Sequence, residues 1–391
     1  MKEVFILSAV RTPIGAFLGS LKEVPAPKLG AAAIQAAVAR AGIAQELVEE
    51  CLMGCVLPAG LGQAPARQAS LFAGLPQSVR ATTINRVCGS GLKAVMLGAQ
   101  IIQSNDAEIV VAGGMENMSR APYLLEKGRE GYRMGNGKVI DSMIWDGLWD
   151  PYGDTHMGNC GELCAKEKKI TREEQDRFAL QSYQRAHDAI KTGKFSQEII
   201  PVDISDRSGP KQFTQDEEPA RANLEKFSQL RPAFSKDGTI TAANASSLSD
   251  GASALVLASS TISKSHHLKP LARVVAQASH AQAPEWFTTA PVGAVQKLLK
   301  KANLSVGDVD LFEINEAFSV VALQCAKDLG ITEDKVNVHG GAVALGHPIG
   351  ASGARILTTL VHALHTHRKR WGVAAICIGG GEASAVLVEA L

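Results

Sequence analysis

Asn85-Arg86-Val87-Cys88-Gly89-Ser90-Gly91-Leu92-Lys93-Ala94 is the stretch that decides the reading of this chain. An apolar, β-prone approach meets a Gly-Ser-Gly turn, and a helical pattern follows through Ser104. Strand, tight turn and helix in that order predict an α/β fold. The thiol of Cys88 then sits at a helix N-terminus. The positive end of the helix dipole and the free backbone N–H groups there favour a thiolate. The layout is that of a nucleophile elbow with Cys where a hydrolase would carry Ser.

Working outward, short β-like runs recur at Val4–Leu7, Glu108–Ala112, Ala254–Ala258, Arg273–Ala276, Asp310–Ile314 and Val373–Ile378. Between several of them lie helical stretches at Leu29–Ala41, Leu92–Ser104, Val292–Ala302, Ala317–Leu329 and Gly353–His365. This alternation predicts mainly parallel strands. It also repeats. Ala26-Pro27, a helix, then Ala41-Gly42-Ile43 parallels Ala290-Pro291, a helix, then Ala302-Asn303-Leu304. Gly54-Cys55 matches Asn315-Glu316, and Gly89-Ser90-Gly91 matches the turn Gly350–Gly353. Gly113-Gly114-Met115-Glu116 matches Gly380-Gly381 with Glu382. The offset stays near 261–262 over most of this and widens at the last pair. We read two copies of one α/β unit whose ligand-facing turns meet. The first copy takes residues 1–118, completed by 249–270, and the second takes 271–391. The segment 119–248 has no counterpart and reads as an inserted loop subdomain. It carries the charged helix Arg172–Lys191 and the Gly-rich stretch Gly128–Lys138. Long loops on a rigid scaffold are usual places for ligand binding.

Composition narrows the function. The chain has 391 residues, enough for large cores. Forty basic residues nearly balance thirty-nine acidic ones, so no global field points to nucleic acid or an anionic membrane. An odd seven cysteines without a dense framework predict reduced thiols, hence a cytoplasmic setting. No signal, transit or membrane-spanning pattern is visible.

Three further segments complement Cys88. Asn315-Glu316-Ala317-Phe318 follows a strand. Gly340–Arg355 is Gly-rich and holds His347 ahead of a helix. Cys377-Ile378-Gly379-Gly380-Gly381-Glu382 ends a buried strand. His347 can take the thiol proton of Cys88. Cys377 places a second thiol at the same end of the sheet, able to move a proton. The amides of Gly379–Gly381 and of Cys88 can form an oxyanion hole, with Asn315 adding a donor directly or through water. Each segment alone has a plainer reading: a core thiol for Cys377, a capping or core residue for His347, a helix cap for Asn-Glu-Ala-Phe. Their coincidence on matching turns of a duplicated unit favours chemistry.

With these four segments and the opening Val10-Arg11-Thr12-Pro13-Ile14-Gly15, the sequence resembles the thiolase family over essentially its whole length. Cys-Ile-Gly-Gly-Gly-Glu-Ala at 377–383 and Thr155-His156-Met157-Gly158 resemble the acetyl-CoA C-acetyltransferase branch most. The resemblance implies duplicated units packed in αβαβα layers. It implies a reversible Claisen reaction: Cys88, activated by His347, takes acetyl from acetyl-CoA, and Cys377 deprotonates a second acetyl-CoA. Acetoacetyl-CoA and CoA result. One oxyanion hole would use His347 and a water on Asn315, the other the N–H groups of Cys88 and Gly379. CoA thioesters are substrates; no metal or redox cofactor is implied. The insertion would bind CoA through Leu148, His156, Met157, Phe234, Ala242 and Ser246, with Phe318 from the second unit. Arg221–Leu230 would lie near the nucleotide and Met157 would narrow the acyl pocket. A homo-oligomer follows too, dimer or tetramer, with Gly128–Lys138 as tetramer loop.

The chain departs from the family pattern at Ser247, where Gly is common, at His339, where Asn is common, and at Cys160. If the backbone at Ser247 needs φ > 0, Ser costs stability there. Cys51/Cys55 and Cys160/Cys164 read as pairs on helical faces without zinc spacing. His362, His365 and His367 read as a solvated helix end. No P-loop or strand-borne dinucleotide fingerprint is present. The competing readings are a degradative 3-ketoacyl-CoA thiolase of broader chain length, a ketoacyl-synthase-type condensing enzyme and a non-catalytic CoA-binding scaffold. A ketoacyl synthase is expected to use a second His where this chain has Cys377.

Overall fold

In the computed structural model, residues 2–206 and 209–391 are described. Positions 207 and 208 of the insertion and Met1 of the first unit lie outside them. The main strands are β1 (Val4–Arg11), β2 (Glu50–Gly54), β3 (Arg80–Ile84), β4 (Ile109–Asn117), β5 (Ser249–Ser259), β6 (Ala272–Ala281), β7 (Leu311–Ile314), β8 (Trp371–Ile378) and β9 (Glu382–Ala390). They hydrogen-bond in the order β7-β8-β9-β6-β1-β5-β4-β2-β3. From β1 outward the pairings run antiparallel, antiparallel, parallel, parallel through β5, β4, β2 and β3. From β6 outward they run antiparallel, antiparallel, parallel through β9, β8 and β7, and a parallel bridge Phe312–Val336 stands where a fifth strand would be. The duplication read in the sequence is therefore written into the strand order. The halves join along Val4–Ile6 against Ala272–Val274.

Two expectations change. Five of the eight neighbour pairings are antiparallel, so the sheet is mixed, not mainly parallel. Helix-separated runs suggest crossovers, but β8 and β9 are joined by a hairpin through Gly380 and Gly381. Both glycines have positive φ, +86° and +80°, which an L side chain adopts only with strain. The last repeat match also fails. Gly54, matched to Asn315, lies opposite Gly114, and Ile314 lies opposite Ala375, so the counterpart of Gly114 is the next residue, Ile376, inside a strand. The glycines at 380–381 belong to a turn that follows.

Helices α1 (Ala26–Ala41), α2 (Ser90–Ser104), α3 (Met157–Glu167), α4 (Arg172–Lys191), α5 (Ala290–Ala302), α6 (Ser319–Leu329) and α7 (Ser352–Thr366) complete the layers. The matched outer helices α1 and α5 both carry Pro near the N-terminus, where its missing N–H is harmless, and end on a left-handed residue, Gly42 and Asn303. Each packs its apolar face on its own half of the sheet, on the face turned away from the core that the two halves share. Between the halves α2 and α7 pack on each other, and Leu92, Val95, Ile356, Leu357 and Leu360 share one core with Ile6, Leu257 and Val386. This central layer places the N-termini of α2 and α7, hence Cys88 and His347, side by side. The carbonyl of Gly350 seats against Gly54, Gly91 and Gly114, where any Cβ would come within 3.0 Å of it. Only glycine at those points lets the two turns approach so closely.

The insertion is fixed to this frame by buried charge. The Arg11 guanidinium holds Asp216 with both terminal nitrogens, 2.6 and 2.9 Å, and donates from Nε to Glu198. All three side chains are fully buried. Asp216 also accepts from Ile14 N, 2.8 Å, which anchors the opening Val-Arg-Thr-Pro-Ile-Gly segment. The helix predicted at Arg172–Lys191 is α4, started by a Thr171/Glu174 capping box.

Candidate active site

Cys88 sits four residues past β3 on a sharp turn. Val87, a β-branched residue, is held at φ +44°, a conformation costly for that side chain. The turn is over-determined by hydrogen bonds. Ser90 Oγ accepts from Arg86 N, 2.8 Å, and donates to Val87 O, 2.7 Å, while Asn85 Oδ1 accepts from Val87 N, 3.0 Å. The backbone N–H groups of Gly379 and of Cys88 itself both reach the Cys88 sulfur. The elbow expected from sequence is present, but not the thiolate. Burial dominates and pushes the Cys88 thiol up to about 11, against the two amides that lower it. The residue as a whole keeps intermediate exposure, yet its sulfur is surrounded by protein, and the desolvation of a thiolate outweighs a helix terminus.

His347 arrives on the Gly-rich loop before α7. Its N–H bonds to Ser247 O, 3.1 Å. Its Nδ1 lies 2.6 Å from Ser352 Oγ. That hydroxyl has one hydrogen, which it donates to Pro348 O at 3.0 Å. It therefore accepts from Nδ1–H, and the tautomer follows from the network: Nδ1 protonated, Nε2 a bare lone pair. Among the described residues Nε2 has no hydrogen-bond partner. Burial, then Arg355, pushes the imidazole down to about 3, so it rests neutral.

Two buried carboxylates bracket this loop, and the sequence reading assigned neither of them a role. Glu316 accepts from Val343 N, 3.0 Å, Ser182 Oγ, 2.8 Å, and Asn337 Nδ2, 2.7 Å. Glu116 accepts from Gly350 N, 2.9 Å, and from Val56 and Leu57 N, 2.9 and 3.2 Å. Burial pushes both upward, Glu116 to about 7. His347 thus hangs between two anchored ends. The only sequence signal was that both carboxylates fall in quoted segments.

A cavity of about 390 Å³ opens over these groups. Cys88, His347, Gly379, Leu148, His156, Met157, Phe234, Ala242, Ser246 and Phe318 all line it. Sequence reasoning missed Met118, Ile144, Thr241 and Phe287, apolar or small wall residues without a motif, and gave no role to Ile349 inside the His347 segment. His156 Nδ1 accepts from Gly158 N, 3.0 Å, capping α3, and its ring stacks on Phe234 at 4.8 Å. Phe234 meets Phe318 edge-on at 5.9 Å. The wall is mainly apolar with a few converging polar groups, as small-molecule sites are. Ser246 Oγ donates to Ala317 O, 2.9 Å, so its hydroxyl also ties the insertion to the second unit.

Asn315 and Cys377 do not line the cavity. Each sits two residues before one that does, Ala317 and Gly379. Both are 1% exposed. Among the described residues Asn315 Oδ1 and Nδ2 lack any partner, and a buried polar group left so costs about 1–3 kcal/mol. Burial, with the neighbouring Cys88 adding to it, pushes the Cys377 thiol well above its ordinary value.

The departures resolve differently. Ser247 does not take a positive φ, so the feared strain is absent. Cys160 packs in the core under α3. His339 is buried, with Nε2 3.1 Å from His367 Nε2 and its ring edge-on to Phe195. The solvated helix end holds for His365 and His367, both exposed, whereas His362 is half-buried; His362 and His365 bond to the carbonyls of Ala9 and Leu271, each 2.8 Å, because α7 ends against β1 and the chain before β6. Cys51 lies in β2 and Cys55 just after it, not on a helical face. Among the described residues no group of three or more His, Cys, Asp or Glu is placed to hold a metal, and no helix is long and apolar enough to cross a membrane.

Comparison with known proteins agrees with the geometry. Residues 4–261 match the model of the thiolase N-terminal domain and residues 268–390 that of the C-terminal domain. The chain is 52% identical to an acetyl-CoA acetyltransferase of Cupriavidus necator over 391 residues, covering 100% of both chains. It is 51% identical to that of Escherichia coli over 393 residues, again covering 100% of both. With the acetyl-CoA acetyltransferase of Schizosaccharomyces pombe it shares 51% over 389 residues, 99% of this chain and 98% of the relative. The crystal structure of Acat5 thiolase from Ascaris suum in complex with coenzyme A superposes with a TM-score of 0.95 at 46% identity, covering 100% of both chains. Sequence over the whole length and the fold itself thus agree that this chain belongs to the thiolase family.

Proposed function

We propose that this chain is an acetyl-CoA C-acetyltransferase, joining two acetyl-CoA reversibly into acetoacetyl-CoA and CoA. The observation that carries the reading is the convergence of the two halves. The Cys88 sulfur is reached by two N–H groups, one from each half, beside a histidine whose Nε2 is bare. Relatives named acetyl-CoA acetyltransferases support it over the whole length. His347 Nε2 takes the Cys88 proton as the sulfur attacks the thioester carbon. The N–H groups of Cys88 and Gly379 hold the oxyanion. Cys377 gives its proton to the departing CoA sulfur. Its thiolate, made strongly basic by burial, then takes a methyl proton from the second acetyl-CoA. The carbanion attacks acetyl-Cys88, the C–C bond forms, the C–S bond breaks, and Cys88 recovers its proton from His347. Asn315 holds a water that, with His347, serves the second oxyanion hole. Thioesters supply leaving group and acidified carbon, so no metal or redox group enters. Acetoacetyl-CoA formed from acetyl-CoA alone, with CoA released in equal amount, is the expected result; no product, or a requirement for malonyl thioester, would refute the reading.

Residues 119–248 form the CoA-binding unit in this reading, between thiolase halves 1–118 (with 249–270) and 271–391. Ser352 has a specific part in it. In Ser352→Ala, Nδ1–H loses its acceptor and the tautomer is no longer imposed. We expect kcat to fall about 100-fold with KM little changed, read from steady-state thiolysis of acetoacetyl-CoA.

The reading extends to assembly. Among the described residues β3 is the last strand of the sheet, half exposed, with an open outer edge that ends three residues before Val87. An unpaired edge this close to the site suits pairing with a second copy. Gly128–Lys138 is exposed over most of its length and suits a tetramer contact. Light scattering is expected to give a dimer or tetramer; a monomer mass would contradict it. Seven free cysteines support cytoplasmic residence, which cell fractionation checks.

A further inference from the structure

We propose that Asn337 is a positioning residue for Asn315, acting through the edge of β7; this rests on the role given to Asn315 above. Among the described residues β7 has a strand neighbour, β8, on one side only. On the other side Asn337 does a neighbour's work. Its N–H donates to Phe312 O, 2.9 Å. Its Oδ1 accepts from Ile314 N, 2.9 Å, and its Nδ2 donates to Ile314 O, 2.9 Å, and to Glu316 Oε1, 2.7 Å. Its own C=O accepts from Gly340 N, 2.9 Å, where the His347 loop begins. The amide orientation follows from the network, since only an oxygen can face Ile314 N–H.

Asn337 therefore grips the residues immediately before and after Asn315 while leaving Asn315 itself untouched. Asn315 is buried, and its two amide atoms have no partner among the described residues. A side chain in that condition has no bond of its own to set its place, so where its amide sits follows from where the backbone on either side is held. Asn337 supplies the fixing, and at a cost: it is 1% exposed and held at φ +48°, a left-handed conformation uncommon for a non-glycine residue. All its polar groups are used. Through Glu316, which also holds Val343 N, the same clamp ties the Asn315 corner to the loop that carries His347.

A double-mutant cycle separates positioning from mere edge support. Asn337→Gly keeps the left-handed backbone without strain and deletes the clamp. We expect kcat for acetoacetyl-CoA thiolysis to fall about 10- to 100-fold with KM for the thioester little changed. In an Asn315→Ala background the same substitution is expected to cost almost nothing more, because its effect runs through Asn315. An unchanged kcat in Asn337→Gly, or a full additional loss on top of Asn315→Ala, overturns the proposal. Should Asn337→Gly fail to fold, polarity exchange carries the test. Asn337→Asp sets two carboxylates together, and adding Glu316→Gln restores a donor–acceptor pair with its sense reversed. Higher kcat in the pair than in Asn337→Asp alone supports the clamp; equal or lower kcat overturns it. Failure of the wild-type chain to release CoA from acetyl-CoA would instead strike the functional reading, so the two failures are distinct.

Discussion

Cys88→Ser is expected to lower acetoacetyl-CoA formation by about 10⁴-fold or more while leaving fold and CoA binding in place. The exchange is small and the turn survives it, because the bonds that fix Val87 and Ser90 are made by neighbours. What fails is the nucleophile. A serine hydroxyl is far less acidic than a thiol, and the base beside it, His347, is held neutral and pushed down to about 3. Such an imidazole accepts a thiol proton only as attack proceeds and is too weak for an alcohol. Two measurements check this: CoA release from acetyl-CoA, and intact-protein mass after incubation with acetyl-CoA. The wild type should carry one acetyl group on Cys88, and the variant none. Acetyl on another residue, or turnover retained, would remove Cys88 from the role of acyl carrier.

Cys377→Ala is expected to divide the reaction. Cys88 keeps its two amides and His347, so acetyl transfer from acetyl-CoA to Cys88 still proceeds, slower for want of a proton donor to the departing sulfur. Condensation should fall about 10²- to 10⁴-fold, the range lost with a positioned base. Acetyl-Cys88 should then accumulate. Its basis is the depth of Cys377, 1% exposed at the end of β8, where burial makes its thiolate strongly basic. Rapid mixing followed by mass spectrometry reads the two steps separately. Undiminished condensation, or loss of acetylation along with it, would move the second proton transfer elsewhere.

The duplication was legible because each half spells the same order of apolar runs and turn glycines, and hydrophobic periodicity survives sequence drift. The three catalytic candidates were legible because Cys and His on Gly-rich turns carry few other meanings when they coincide. Antiparallel pairing was not, since a run such as Glu382–Ala390 reads alike in either direction until its hairpin is seen. Nor was the Cys88 thiol: a helix N-terminus is visible in sequence, but the protein packed over it is not, and desolvation is the larger effect. Ser247 erred the other way, feared for a strain that the local backbone never takes.

By itself the sequence determined the α/β class, the two halves, the helix-capping turns and the residue types brought to the site, all of which depend on near neighbours along the chain. Only the tertiary structure decided how those groups behave. The His347 tautomer depends on whether Ser352 spends its hydrogen on Pro348. The span of the His347 loop depends on Glu116 and Glu316, 234 residues before Gly350 and 27 before Val343. The hold on Asn315 depends on Asn337 reaching across a sheet edge. The division is physical: hydrogen-bond partners and desolvation are set by what lies within a few ångströms in space, and Cys88 and Gly379, so far apart in sequence, meet only because two central helices share one core.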